Sequence, residues 1–283
     1  MLDHGSLDYA ALSSRCRTKN EFRRLHIDLE NTLAPTELRE IKKFIDTQDA
    51  DAPGHGWVGE LQKLSPELFE VPQAYQRRSL TSRATLYQDP ASDVAERGLL
   101  VAFSGDARRL MLPVCVFLQL IDSRRWDVLV LRKNGKTSFL RGLEGVSSSL
   151  PGLIRYVQRA VAATRYRRTI TLGTSGGGSA AIMAALLMEA DRGVSICGSA
   201  LKLRGGIWLR HRIALGQRKA AAAGRELWYI YGSDCARDLQ AARALLDRYG
   251  GELYPIPGAD EHNVFRWLLE RGQLAAFLDG IIE

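Results

Sequence analysis

Residues 169–188 read TITLGTSGGGSAAIMAALLM, and no other stretch limits the possible folds so sharply. Thr169, Ile170, Thr171 and Leu172 suit a strand, the Ala-, Met- and Leu-rich run from Ala180 suits a helix, and Gly173-Thr174-Ser175-Gly176-Gly177 joins them. A strand can turn into a helix over so few residues only where side chains are nearly absent, because the two backbones then come within touching distance. The five residues fit G-x-S-x-G, the strained turn that pushes a serine hydroxyl out at the edge of a sheet. The residue after the serine falls at the helix N-terminus, where its N–H has no intrahelical acceptor. Ser175 is therefore the candidate nucleophile, and the Gly176 N–H a candidate oxyanion donor. The competing reading is a glycine-rich turn that holds a phosphate or nothing. No Lys-Ser/Thr follows the glycines as in a Walker A loop, and their spacing is not that of a dinucleotide fingerprint.

The flanking chain alternates between strand and helix signals. Residues 99–103 (LLVAF) and 126–131 (WDVLVL) are continuous apolar runs of the kind buried on both faces of a sheet, and 194–198 (VSICG), 227–231 (LWYIY) and 253–256 continue the series. Residues 79–87 suit one or two antiparallel strands. Helices are expected at 113–121, after Ser149, at 239–249 and, amphipathic, from Val264 to the end. Strands alternating with helices imply an α/β chain with a doubly wound, mostly parallel sheet. Residues 1–70 differ: Leu38, Ile41, Phe44 and Ile45 keep helical spacing after Pro35, residues 21–33 also suit a helix, and 49–57 is turn-rich. A helical N-terminal segment (1–70) is expected before the main domain (71–283), as a cap or as a contact for a protein partner or oligomer. His4, His26 and His55 are isolated and read as surface or structural residues.

Composition narrows the function classes. A net charge of +7 is spread over scattered arginine pairs, which reads as a solvated basic surface. No basic run is interleaved with aromatics, so nucleic acid is not an expected partner, and no stretch is long and apolar enough for a membrane span. The first residues carry early acids and no long apolar run, so no signal peptide and a cytoplasmic location are expected. Cys16, Cys115, Cys197 and Cys235 lie far apart without a CxxC, Cys115 and Cys197 reading as buried thiols.

From about residue 75 to its end the chain resembles the α/β-hydrolases. AFSGD (102–106), GTSGGG (173–178), YGSD (231–234) and GADEHN (258–263) stand in that family's order of oxyanion loop, elbow, acid and histidine. The resemblance implies the α/β-hydrolase sheet and a Ser–His–acid site that needs neither metal nor cofactor. A serine hydroxyl requires a histidine to take its proton, and the histidine a carboxylate to orient it. His262, after the last strand, takes the histidine's place; His211 competes but lies among arginines that disfavour its cation. Asp234, two residues past the glycine ending its strand, is the expected acid, with Asp238 as the alternative, although Asp238 also reads as a helix cap. Asp260 and Glu261 are too near His262 in sequence to orient its ring.

The second oxyanion donor is expected from the N–H of Gly105 or Asp106, in a loop where Ser104-Gly105 replaces the family's usual His-Gly. Arg108 and Arg109 could hold an anionic substrate or simply be solvated. Residues 199–224, basic and irregular with Ile207 and Trp208 among arginines, occupy the family's lid position. The function implied is a serine hydrolase acting on small-molecule carboxylic esters, an esterase or deacylase, acylated sugars included. An acyltransferase with the same residues and a non-catalytic binding protein are the alternatives.

Overall fold

The apolar runs form the middle of one eight-stranded sheet. A computed structural model describes residues 8–91, 93–133, 138–200 and 207–283. The strands are β1 (Gln76–Ser79), β2 (Ala84–Gln88), β3 (Gly98–Phe103), β4 (Trp126–Leu131), β5 (Arg168–Thr174), β6 (Arg192–Ile196), β7 (Glu226–Gly232) and β8 (Glu252–Ile256). Their order is β1-β2-β4-β3-β5-β6-β7-β8; β1 and β2 enter antiparallel and every later pairing is parallel. This is the doubly wound sheet of the α/β-hydrolase type that the resemblance implies. Every residue of β3, β4 and β6 is buried; β3 reads as an unbroken apolar run, and the polar residues of the other two, Asp127, Arg192 and Ser195, are buried as well.

Successive side chains feed two cores. Leu100, Ala102, Val128, Val130, Ile170 and Leu172 belong to one, and Leu99, Val101, Phe103, Leu129 and Leu131 to the other, the period of two that a strand imposes. The first core is closed by the N-terminal helices α1 (Tyr9–Ser13), α2 (Lys19–Glu30), α3 (Pro35–Ile45), α4 (Gly54–Leu64) and α5 (Glu67–Glu70), together with α6 (Val114–Gln119). The second lies under α7 (Leu150–Ala160), α8 (Gly178–Met188), α9 (Ile207–Ala222) and α10 (Ala236–Tyr249). The chain ends in α11 (Val264–Leu269) and α12 (Leu274–Ile282), which return to the first core.

The N-terminal helices start where side chains supply the missing acceptors. Thr18 and Glu21 form a capping box on α2, and Pro35 opens α3 while Glu37 accepts the N–H of Ala34. This layer is tied to the sheet by polar contacts as well as by packing: Tyr87 Oη donates to Thr32 O (2.7 Å), Arg132 reaches Asn31 O (3.1 Å), and Arg77 pairs with Glu37 (2.9 Å).

Three segments differ from the sequence expectation. The turn-rich stretch 49–57 already contains the start of α4. Residues 207–222, expected to be irregular, form a helix whose Ile213, Gly216 and Ala220 face α8, with Gly216 against the backbone of Leu186. Arg210, Arg212, Arg218 and Lys219 around those positions hid the helical period. The closing helix is two helices, parted where Gly272 takes φ +66°.

The elbow is tightly packed backbone against backbone. A Cβ on Gly173 would overlap the Gly177 carbonyl and sit 2.9 Å from Ala181 Cβ, with backbone on one side and a helix on the other. Gly173→Ala is therefore expected to lower the unfolding free energy by about 1–3 kcal/mol, the usual range for overpacking, in a denaturant titration. Gly59→Ala, in α4 where a Cβ meets nothing within 4 Å, is expected to raise it by about 0.5–1 kcal/mol. Equal effects at the two positions would contradict this account.

Candidate active site

Ser175 stands between the end of β5 and the start of α8 with φ +48°, a left-handed conformation that a non-glycine residue adopts only when its surroundings hold it there. The hold is visible. A Cβ on Gly177 would run into the Phe103 and Ser104 carbonyls, and one on Gly178 would lie 2.5 Å from Gly198 Cα, so the elbow is wedged between the ends of β3 and β6. Ser199 N–H donates to Ser175 O at 3.0 Å and fixes it from the β6 side.

His262, in the loop after β8, places Nε2 2.9 Å from Ser175 Oγ. Its Nδ1 lies 2.9 Å from each carboxylate oxygen of Asp238. The acid beside the histidine is thus Asp238 and not Asp234. Asp234 stays in the turn after β7: its N–H donates to Ala259 O (3.0 Å) and its carboxylate takes the Ser233 hydroxyl (2.7 Å) at the surface. Asp238 comes one helical turn later, in the first turn of α10, where the helix rotation aims it inward and the dipole favours its charge. Cys235, not Asp238, is the residue capping α10. His211 is exposed on α9 and does not line the cleft over Ser175. His26 is structural: it stacks on Trp57 at 4.4 Å, hydrogen-bonds Tyr9, and burial pulls its pKa down to about 4.

Burial pushes the Asp238 carboxyl upward, but the hydrogen bond and charge of His262, helped by the thiols of Cys235 and Cys197, hold it below the usual carboxylate range. The Cys197 thiol is pushed up, first by burial and then by the adjacent Asp238 charge, so it acts as a donor to the acid and not as a thiolate. Cys197, Asp238 and His262 present donor atoms within 4.8 Å of one another, the residue types that would suit a soft divalent ion. Hydrogen bonds among these groups and Ser175 already account for the cluster.

The loop after β3 corrects one further expectation. Gly105 N–H donates to Arg109 O at 2.9 Å, closing the loop on itself, so this N–H is not available to an oxyanion. Gly105 serves sterically, its open side 3.3–3.4 Å from Thr174 and the Ser175 Cβ. Among the described residues and outside the helices, neither the Asp106 nor the Gly176 N–H donates to a backbone acceptor. The Asp106 side chain lines the cleft and pairs with Lys133, a buried lysine just past β4. Arg109 pairs with the buried Glu30 of α2, which also accepts from Trp57 Nε1 (3.2 Å), so its guanidinium is engaged in the N-terminal layer. Asn263 Nδ2 donates to Met111 O (3.0 Å), joining this loop to the one that carries His262.

A cleft of about 640 Å³ opens over Ser175 and His262. One wall is a single face of α10, where Arg237, Gln240, Ala241 and Ala244 recur at helical spacing. Within the segment expected as a lid, residues 201–206 lie outside the described residues; α9 packs on α8, and Trp208 on it is exposed. Lys133, Glu30 and Cys197 are the neighbours of the site that sequence reasoning did not assign to it. Only Cys197 carried a signal, as the last residue before the glycine that ends an apolar strand.

No family model matches the sequence, and no curated protein matches it either. Solved structures do. A dienelactone hydrolase from Anabaena variabilis is 15% identical, covering 74% of this chain and 97% of its own, with a TM-score of 0.48. A structure from work on carboxylesterases of the thaumarchaeon Nitrososphaera gargenis is 16% identical over 73% of this chain and 97% of that one, with a TM-score of 0.45. Est1E from Butyrivibrio proteoclasticus is 13% identical over 75% and 100%, with a TM-score of 0.43. At these identities the chemistry has to be argued from this chain's own residues. No helix among the described residues is long and apolar enough to cross a membrane.

The lowered pKa of Asp238 has a sign that can be checked. A carboxylate held below its unfolded value contributes stability above that value and loses it as pH falls through the folded one. The unfolding free-energy difference between the wild type and Asp238→Asn is therefore expected to be largest above about pH 5 and to shrink below about pH 4. A difference that stays constant over that range would show that Asp238 is not held by His262 in solution.

Proposed function

We propose that this protein is a serine hydrolase that cleaves small carboxylic esters through an acyl-enzyme on Ser175. The observation that carries the reading is the continuous chain from Ser175 Oγ through His262 to Asp238, at 2.9 Å for each link, with Ser175 in the left-handed conformation of an elbow. In this mechanism Oγ attacks the ester carbonyl while His262 Nε2 takes its proton. Asp238 accepts from Nδ1–H, which fixes the tautomer and stabilises the imidazolium. The carbonyl oxygen becomes an oxyanion facing the N–H groups of Gly176 and Asp106. His262 returns the proton to the leaving alkoxide, and a water molecule, deprotonated in turn by Nε2, hydrolyses the acyl-enzyme. Each step moves one proton through one histidine, and no metal or cofactor is required.

The cleft supports a short acyl group on a polar alcohol. Ala241 and Ala244 leave room near the nucleophile, while Arg237 and Gln240 offer donors to hydroxyl or carbonyl oxygens. An acylated sugar has that combination.

A fluorophosphonate probe tests the reading, with the adduct mapped by mass spectrometry and hydrolysis of short acyl esters followed in parallel. Labelling at Ser175 is expected and is lost in Ser175→Ala. His262→Ala is expected to lower kcat/KM by about 10³-fold or more, and Asp238→Asn by about 10²–10⁴-fold. Asp234→Asn is expected to stay within about threefold of the wild type, since Asp234 touches no group of the site. A folded protein that ignores the probe, or an Asp234 variant as damaged as the Asp238 variant, would overturn the assignment.

A further inference from the structure

The second oxyanion donor sits in a loop that lacks the family's usual His-Gly, and something must hold that loop. We infer that Lys133 is the positioning residue that sets the Asp106 N–H over Ser175; the inference rests on the hydrolase reading above. Lys133 follows β4, strand neighbour to β3, and its side chain is only 5% exposed. A buried ammonium is tolerated only when paired, and among the described residues its partner is the Asp106 carboxylate. That carboxylate is 57% exposed, so the pair is anchored at the lysine end and open to the cleft at the aspartate end.

The pair lies directly on the elbow. A Cβ on Gly176 would overlap Asp106 Oδ1 and come within 2.6 Å of Lys133 Nζ. Gly176 is thus the one residue type that lets this pair rest against the donor following the nucleophile. Lys133 also grips the loop through its backbone, its N–H reaching Ser104 Oγ at 3.4 Å. Gly105 N–H is consumed within the loop, which of the two expected donors leaves the Asp106 N–H, on the same residue whose carboxylate Lys133 holds. The ammonium does not line the cleft, so it acts on the reaction through Asp106 and not by touching the substrate. Fixing a dipole before charge develops is what makes such a donor effective.

A double-mutant cycle tests this. Lys133→Met, Asp106→Ala and the double variant are compared for kcat and KM on p-nitrophenyl acetate, for the rate of fluorophosphonate labelling at Ser175, and for inhibition by a trifluoromethyl ketone, whose adduct carries the oxyanion. Each single change is expected to lower kcat by about 10–100-fold with KM within about twofold, and to weaken the ketone in parallel. The double variant should be no worse than the poorer single one, because both remove the same hold, and Lys133→Arg should recover part of the loss. Wild-type kcat in Lys133→Met, multiplied losses in the double variant, or an effect confined to KM would overturn the inference. Should Lys133→Met fail to fold, Asp106→Ala breaks the pair from its exposed end, and the same kcat-against-KM criterion decides. A wild-type protein that ignores the probe overturns the hydrolase reading and this inference together; a labelled wild type with an indifferent pair overturns this inference alone.

Discussion

The site depends on a contact between backbones. Gly177 lies against the carbonyls of Phe103 and Ser104, and Gly173 against Gly177, so the elbow, the loop after β3 and the start of α8 meet without a side chain between them. Side chains can change rotamer to relieve a poor fit; backbones in a hydrogen-bonded sheet cannot. Because β3 and β5 are paired in register, Phe103 opposite Gly173, the separation of Ser175 from the loop after β3 is set by the sheet itself. The left-handed turn at Ser175 costs about 1–3 kcal/mol, and it persists because the wedge of glycines and the Ser199 N–H leave no alternative path.

What the sequence revealed follows from the same contact. Glycines at 173, 176 and 177 are written into the chain because nothing else fits, and the unbroken apolar runs are written because the sheet is covered on both faces. The order of serine, acid and histidine was readable because each falls in the segment that follows a strand. The particular acid was not. Distance along the chain favours Asp234, whereas the choice is made by rotation: α10 begins at Ala236, and the first inward position on it is 238. The fate of the Gly105 N–H was equally hidden, since it depends on the loop returning to the carbonyl of Arg109. Lys133, in a polar run after a strand, looks like any solvated lysine until the paired neighbours of β4 are known.

The N-terminal helices illustrate the limit of reading motifs. They carry no chemical signature, yet α2 supplies Glu30, which holds the guanidinium of Arg109 while the Arg109 carbonyl receives the Gly105 N–H. Arg109 is therefore spent on structure, and the thought that it might hold an anionic substrate loses its basis. Burial pushes the Glu30 carboxyl upward against the pull of Arg109, so Glu30 is worth burying only with that arginine in place. The helical layer and the loop beside Ser175 share one ion pair, and the core beneath them is continuous from Leu38 and Leu68 to Leu100 and Ala102.

Among the described residues, two ion pairs with a buried cation join residues beside β3 to residues of β4 or just past it, and their difference is informative. At the N-terminal edge Arg97 faces Asp127 Oδ1 at 2.7 Å, at most 3% exposed on either side, and Gln88 and Tyr166 both donate to the other oxygen, Oδ2. That cluster is closed, turned away from the cleft, and explicable as a strut. At the C-terminal edge Lys133 is as deeply buried, but its partner is left open to the cleft beside Ser175. A buried pair adds little net stability, because desolvation consumes most of the attraction, so stability alone gives no reason to spend a second one on the same two strands. What a pair does supply is a fixed direction. In this fold the direction matters at the edge where the strands lead to Ser175, His262 and the loop that faces them.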